Sequence, residues 1–170
     1  MKRFVVLFVC TGNLCRSPTA EGIMKDLILD EVALHRTVLP VDVLSAGIHA
    51  TDGQPASRYA VEVASKHGIN LGFHRSRQLT ANMARTADLI LTMERMHTDF
   101  IAYHWPDVRC AHELKRYGLD RLSDTDDTDV PDPIGFGVDV YREVFGELRE
   151  EVVRVSRVLF PLIKKRQSTL

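Results

Sequence analysis

Phe4-Val5-Val6-Leu7-Phe8-Val9 is an unbroken run of β-branched, aromatic and aliphatic residues with no polar alternation. Such a run demands a strand buried on both faces. It leads directly into Cys10-Thr11-Gly12-Asn13-Leu14-Cys15-Arg16-Ser17, and Pro18-Thr19-Ala20-Glu21 then opens a helix. Ser17 stands where an N-cap belongs, Pro18 at the first helical position and Glu21 in the first turn, with the helix predicted to run to about His35. A strand and a helix joined by so short a turn belong to a sheet covered by helices.

The rest of the chain repeats this alternation. Val41 to Ser45 reads as a second strand closed by Ala46-Gly47, and Ala56 to His67 as a helix ending at Gly68. Ala87 to Met93 reads as a third buried strand, followed by a helix from Glu94 to about Tyr103. Val108 to Ala111 forms a short fourth strand, Leu122 to Val138 a loop rich in Asp and Pro, and Val140 to Lys165 a long amphipathic helix. Strand-helix alternation implies an α/β fold with a mostly parallel, doubly wound sheet and helices on both faces. No repeat or linker divides the chain, so residues 1–170 are expected to form one domain. In such folds the ligand binds beyond the carboxyl ends of the strands, where Cys10 lies.

The spacing of Cys10, five residues, then Arg16-Ser17 has a chemical logic. A tight loop places successive backbone N–H groups around one anion, and the helix start adds its positive dipole end. Gly12 is expected to supply the unusual dihedrals that such a nest needs. Arg16 offers a planar fork for two phosphate oxygens. These donors favour the thiolate form of Cys10. Ser17 Oγ is placed to hydrogen-bond the sulfur, and Asn13 to brace the loop through its amide. The Gly and Lys pattern of a nucleotide-binding loop is absent.

The charges nearly cancel, with 22 Lys and Arg against 23 Asp and Glu, which gives no general reason to expect nucleic acid or an anionic membrane as partner. The basic, apolar amino terminus is too short for a signal peptide, no stretch is long enough for a membrane span, and the cytoplasm is the expected location. Three cysteines, Cys10, Cys15 and Cys110, argue for thiol chemistry rather than a disulfide scaffold, and they lack a fourth ligand for zinc.

Val6-Leu7-Phe8-Val9-Cys10-Thr11-Gly12-Asn13-Leu14-Cys15-Arg16-Ser17-Pro18-Thr19-Ala20-Glu21 resembles the amino-terminal signature of the low-molecular-weight protein tyrosine phosphatases. Ser45-Ala46-Gly47 is similar to that family's turn after strand two, and Gly68-Ile69-Asn70 with His74-Arg75-Ser76-Arg77-Gln78-Leu79 to its middle segment. Asp132-Pro133 is similar to its acid loop. The resemblance covers the whole chain. It implies a four-stranded parallel sheet and a phosphatase with a phosphocysteine intermediate, in which Cys10 is the nucleophile, Arg16 the phosphate clamp and Asp132 the general acid and base. Thr11, Gly12, Asn13, Leu14, Cys15 and Ser17 would surround the phosphate, with Ser45 and His74 in support.

From composition alone Asp124, Asp126, Asp127, Asp129 and Asp132 are equal candidates for the acid; the resemblance selects Asp132 because it precedes Pro133. Trp105-Pro106-Asp107 spells the acid motif of the larger tyrosine phosphatases, which belong to a different fold, so it is expected to cap a helix instead. The resemblance implies a phosphorylated protein as partner, a monomer, and no cofactor or metal. Phosphotyrosine is the first expected substrate, because Leu14 would pack on an aromatic ring. Phosphoarginine is the second, because Ile134 and His49-Ala50-Thr51 lack the aromatics usual in tyrosine-specific members. Arsenate reduction would need a cysteine pair near Asn82 to Leu89, which the chain does not have. Cys15 is near enough to Cys10 in the loop for a protective disulfide, and Cys110 is expected to be strand filler.

Overall fold

The computed structural model describes residues 3–36, 38–119 and 127–167. The elements are β1 (Phe4–Cys10), α1 (Arg16–His35), β2 (Val41–Gly47), α2 (Arg58–Lys66), α3 (Ala81–Thr86), β3 (Leu89–Thr92), α4 (Arg95–His104), β4 (Ala111–Glu113) and α5 (Val138–Gln167). The four strands are parallel in the order β2-β1-β3-β4. β1 is central, which explains its run of apolar residues: every side chain from Val6 to Cys10 is buried, whichever face it points to.

Alternation along β1 divides the core into two. Val6, Phe8 and Cys10 face Ala20, Ile23 and Met24 of α1, Ala60 and Val63 of α2, and Val144, Leu148 and Val152 of α5. Leu7 and Val9 face the other way, with Ile90, Leu79, Ala84 of α3 and Ile101 of α4. Each fully buried Leu or Phe contributes about 1.5–3 kcal/mol of transfer free energy, so both faces of β1 are anchored. The register is thereby set: Cys10 pairs with Gly47, and Val9 with both Ala46 and Thr92. A slip of one residue would turn Cys10 away from its loop and exchange the two faces.

Several expectations shift. The fourth strand begins later, at Ala111, because residues 105–108 close α4: Trp105 N–H donates to Ile101 O at 2.8 Å and Val108 N–H to Trp105 O at 2.9 Å. α3, unforeseen from the sequence, is a single short helix capped by Thr80, whose hydroxyl accepts from Met83 N–H. α2 starts at Arg58 rather than Ala56. Its end is as expected: Gly68 takes φ +77°, and Ile69 N–H returns to Ala64 O at 3.0 Å.

Candidate active site

Three adjacent strands deliver the site to one edge of the sheet: β1 ends at Cys10, β2 at Gly47, and β3 at Thr92, two residues before Glu94. The Cys10 sulfur is buried and accepts from Asn13 N–H at 3.2 Å. Ser17 Oγ lies 2.9 Å from it. Asn13 Nδ2 donates to Ser17 Oγ at 2.9 Å, which fills one lone pair of that hydroxyl; its proton has the Cys10 sulfur at 2.9 Å and Ala46 O at 3.5 Å within reach. The same amide donates to Ser45 Oγ at 2.9 Å, and Ser45 donates to Glu21 Oε2 at 2.5 Å. Asn13 Oδ1 accepts from Arg77 N–H at 2.9 Å, and Asn13 O meets His74 Nε2 at 2.7 Å. Burial pushes the His74 pKa down, opposed by its bond to Asn13 O and by the Glu21 charge.

Two expectations are corrected. Ser17 is not the N-cap of α1; Cys15 is, and the helix begins at Arg16. Ser17 lies inside the helix, one residue past its start, and its hydroxyl bonds Cys10 Sγ, Asn13 Nδ2 and, at 3.5 Å, Ala46 O. Nor is Gly12 the residue with a left-handed backbone: that is Asn13, at φ +56°. Asn tolerates this region, and its side-chain bonds hold it there. A Cβ on Gly12 would meet only Leu14 Cγ at 3.9 Å, whereas one on Gly47 would lie 2.4 Å from Thr11 O and 2.9 Å from Asn13 N. The close approach that requires glycine is in β2, against the outside of the loop. His49 N–H then fastens the loop by donating to Thr11 O at 2.9 Å.

Arg16 is almost fully buried, with 2 % of its side chain exposed, and a buried guanidinium needs partners. Its Nη1 bonds Glu94 Oε1 and donates to Val130 O at 2.8 Å, while Nη2 donates to Asp132 Oδ2 at 2.9 Å. Asp132 is therefore brought to the loop by one hydrogen bond, with 39 % of its side chain still exposed. Asp127 is exposed, and Asp129 is spent on Arg95 N–H at 2.8 Å. Asp124 and Asp126 lie outside the described residues. Asp107 goes elsewhere: Arg85 of α3 grips it through two bonds of 2.7 and 3.2 Å, and that pairing holds its carboxyl below the usual range.

Leu14 is half-buried against the first core cluster. Cys15 is a free thiol bonded to Ser57 Oγ at 3.2 Å and Tyr141 OH at 3.4 Å; burial pushes its pKa up and that of Tyr141 up to about 12. Cys110 precedes β4 and donates to Ala87 O. His49 is exposed and meets Phe100 edge-on at 5.7 Å. Ile134 and Phe136 are exposed in a turn closed by Phe136 N–H to Pro133 O at 3.1 Å.

Glu94 and His97, which sequence reasoning did not single out, complete the surroundings of Arg16. Their signal was positional: they follow a buried strand at the carboxyl edge. Among the described residues no group of three His, Cys, Asp or Glu side chains is arranged to hold a metal ion, and no helix is long and apolar enough to cross a membrane.

The comparisons with known proteins agree with this geometry. Residues 5–167 match the model of the low molecular weight phosphotyrosine protein phosphatases. The Escherichia coli (strain K12) low molecular weight protein-tyrosine-phosphatase Etp is 38% identical over 156 residues, covering 89% of this chain and 95% of that protein. The protein-arginine-phosphatase of Bacillus subtilis (strain 168) is 34% identical over 154 residues, covering 91% and 95%. A crystal structure of a YwlE mutant from Bacillus subtilis superposes with a TM-score of 0.80 at 34% identity, covering 92% of this chain and 98% of that one. A YwlE arginine phosphatase mutant with a phosphorylated active-site serine superposes with a TM-score of 0.79 at the same identity, covering 92% and 95%. A strand ending in the Cys10 loop, the four-stranded parallel sheet behind it and these relatives lead to one assignment: the chain belongs to the low molecular weight phosphotyrosine protein phosphatase family.

Proposed function

We propose that this phosphatase hydrolyses phosphotyrosine on proteins through a phosphocysteine formed on Cys10. The observation that carries the reading is the sulfur held between Asn13 N–H and Ser17 Oγ at the head of α1, beside the buried Arg16. Cys10 Sγ attacks phosphorus in line, and the bond from phosphorus to the leaving oxygen breaks. Arg16 and the loop amides hold the equatorial oxygens, whose developing charge is stabilised by donors already in place. Asp132, as the acid, gives its proton to the leaving oxygen. As carboxylate it then takes a proton from water, the water oxygen bonds to phosphorus, and the S–P bond breaks to release phosphate and the thiolate. Ser17 stabilises the sulfur as it leaves, while Asn13, Ser45 and His74 keep the loop in shape. That a relative carries a phosphorylated active-site serine supports a covalent phosphoenzyme.

A second reading, phosphoarginine hydrolysis, is favoured by Ile134 and the exposed His49 at the rim and by the relatives named as arginine phosphatases. Leu14 at the loop favours phosphotyrosine. The deciding experiment assays phosphotyrosine and phosphoarginine peptides side by side with chelator present. Hydrolysis of neither, or full activity in Cys10→Ser, overturns the mechanism; a faster rate on phosphoarginine makes the second reading the right one.

A further inference from the structure

Among the described residues, His97 is a buried titratable side chain that the mechanism leaves unused. His97 has no exposed surface and sits in the first turn of α4, between the Cys10 loop and Arg16. Glu94 N–H donates to its Nδ1 at 3.0 Å, which requires a lone pair on that nitrogen. Burial and then the charges of Arg16 and His49 push its pKa down to about 3, so the ring is neutral near pH 7. A neutral ring with a bare Nδ1 carries its proton on Nε2.

Nε2 is 2.9 Å from Thr11 Oγ1 and 3.8 Å from Glu94 Oε1, so its proton goes to the threonine hydroxyl. The direction of this bond matters. With a lone pair of Oγ1 occupied by His97, the Thr11 hydroxyl is left with its own proton to give, and among the described residues no protein acceptor is bonded to it. Thr11 adjoins the nucleophile and is partly exposed.

We propose that His97 is a positioning residue of the phosphate site, which makes the Thr11 hydroxyl an obligate donor towards an anion in the Cys10 loop. The same ring fixes the main chain of Glu94, whose carboxylate grips Arg16. One imidazole thus sets two walls of the anion cradle, the loop on one side and the arginine on the other. The inference rests on the phosphatase reading and extends it to a residue that touches neither substrate nor sulfur.

The test is a double-mutant cycle read on an aryl phosphate and on competitive inhibition by inorganic phosphate. Thr11→Val removes the hydroxyl at constant shape, Thr11→Ser retains it, and His97→Asn keeps an acceptor for Glu94 N–H while falling short of Thr11. Losing one hydrogen bond to a charged ligand lowers kcat/KM about ten-fold. Thr11→Val and His97→Asn should each show that loss with weaker phosphate inhibition, and Thr11→Ser should stay within about two-fold of the native protein. The Thr11→Val/His97→Asn double variant should again lose about ten-fold, since both changes break one bond. Losses that multiply to about a hundred-fold, or equal activity in Thr11→Val and Thr11→Ser, would overturn the proposal. Should His97→Asn fail to fold, the Thr11→Val and Thr11→Ser pair decides alone. An inactive native protein would instead remove the phosphatase reading.

Discussion

Replacing Gly47 by alanine adds a single methyl group to the buried end of β2, and its cost can be worked from three distances. The new carbon would lie 2.4 Å from Thr11 O, 2.9 Å from Asn13 N and 3.0 Å from Ala50 Cβ. Ordinary contact needs about 3.5 Å, so the Thr11 carbonyl must retreat by about 1 Å. Neither of the two nearest, Thr11 O and Asn13 N, is a flexible side-chain tip. Both are backbone atoms of the loop that holds Cys10, and Thr11 O would also lose its bond from His49 N–H. β2 cannot yield instead, because Gly47 is paired with Cys10 and tied to Arg77 O and Leu79 N. Overpacking of this kind costs about 1–3 kcal/mol of stability, which leaves most molecules folded. A displacement of about 1 Å at a catalytic loop costs about a hundred-fold in rate. Gly47→Ala should therefore lose about a hundred-fold in kcat on an aryl phosphate at a temperature where circular dichroism shows a native fold. A variant that folds and keeps more than about half the native kcat would refute the argument that glycine is required there by the loop.

Three further outcomes are expected. Asp132→Asn should slow substrates with poor leaving groups about a hundred-fold and those with good leaving groups much less, because general acid catalysis matters most when the leaving group is basic; equal losses on the two would remove Asp132 from the acid role. Asn13→Ala deletes the bonds to Ser17, Ser45 and Arg77 N–H and strains alanine at φ +56°, so urea unfolding should report a loss of about 2–4 kcal/mol, and a loss below about 1 would show that the bonds do not brace the loop. His97 titrates near 6.5 when unfolded and near 3 when folded, so between those values the unfolded chain binds more protons and stability falls with falling pH. The slope from this one group approaches about 1.4 kcal/mol per pH unit, and stability curves of native protein and His97→Asn measured from pH about 6 to about 5 should converge as pH falls; parallel curves would contradict the depressed value.

What could be read from the sequence followed from its locality. Phe4 to Arg16 is a single stretch in which burial, nest, arginine and helix start are consecutive, so the strand, the loop and the membership of Arg16 were legible together. The expected left-handed glycine was misplaced, since a tight loop announces that some residue must take positive φ but not which one. Asn13 takes it because Ser17, Ser45 and Arg77, from three different segments, hold its side chain. Glu94 and His97 were unreadable for the same reason: their roles exist only once β3 pairs with β1. Gly47 stands in a turn legible from the sequence, but its function is a contact with backbone 36 positions away in Thr11, for which no local pattern exists. The acid loop shows the limit from the other side. Composition offered five equivalent aspartates, and it is the reach of Arg16 Nη2 that brings Asp132 to the loop.

The bonds from Arg16 to Val130 O and Asp132 span sequence separations of 114 and 116 residues. Closing so long a loop carries an entropic cost, and contacts of this kind form late in folding. The proposed nucleophile and its helix come from the first residues of the chain and the proposed acid from the last third. During refolding or synthesis, helical signal can therefore accumulate while hydrolysis is still absent. Under the proposed mechanism, turnover would then work as a clock for completed tertiary closure.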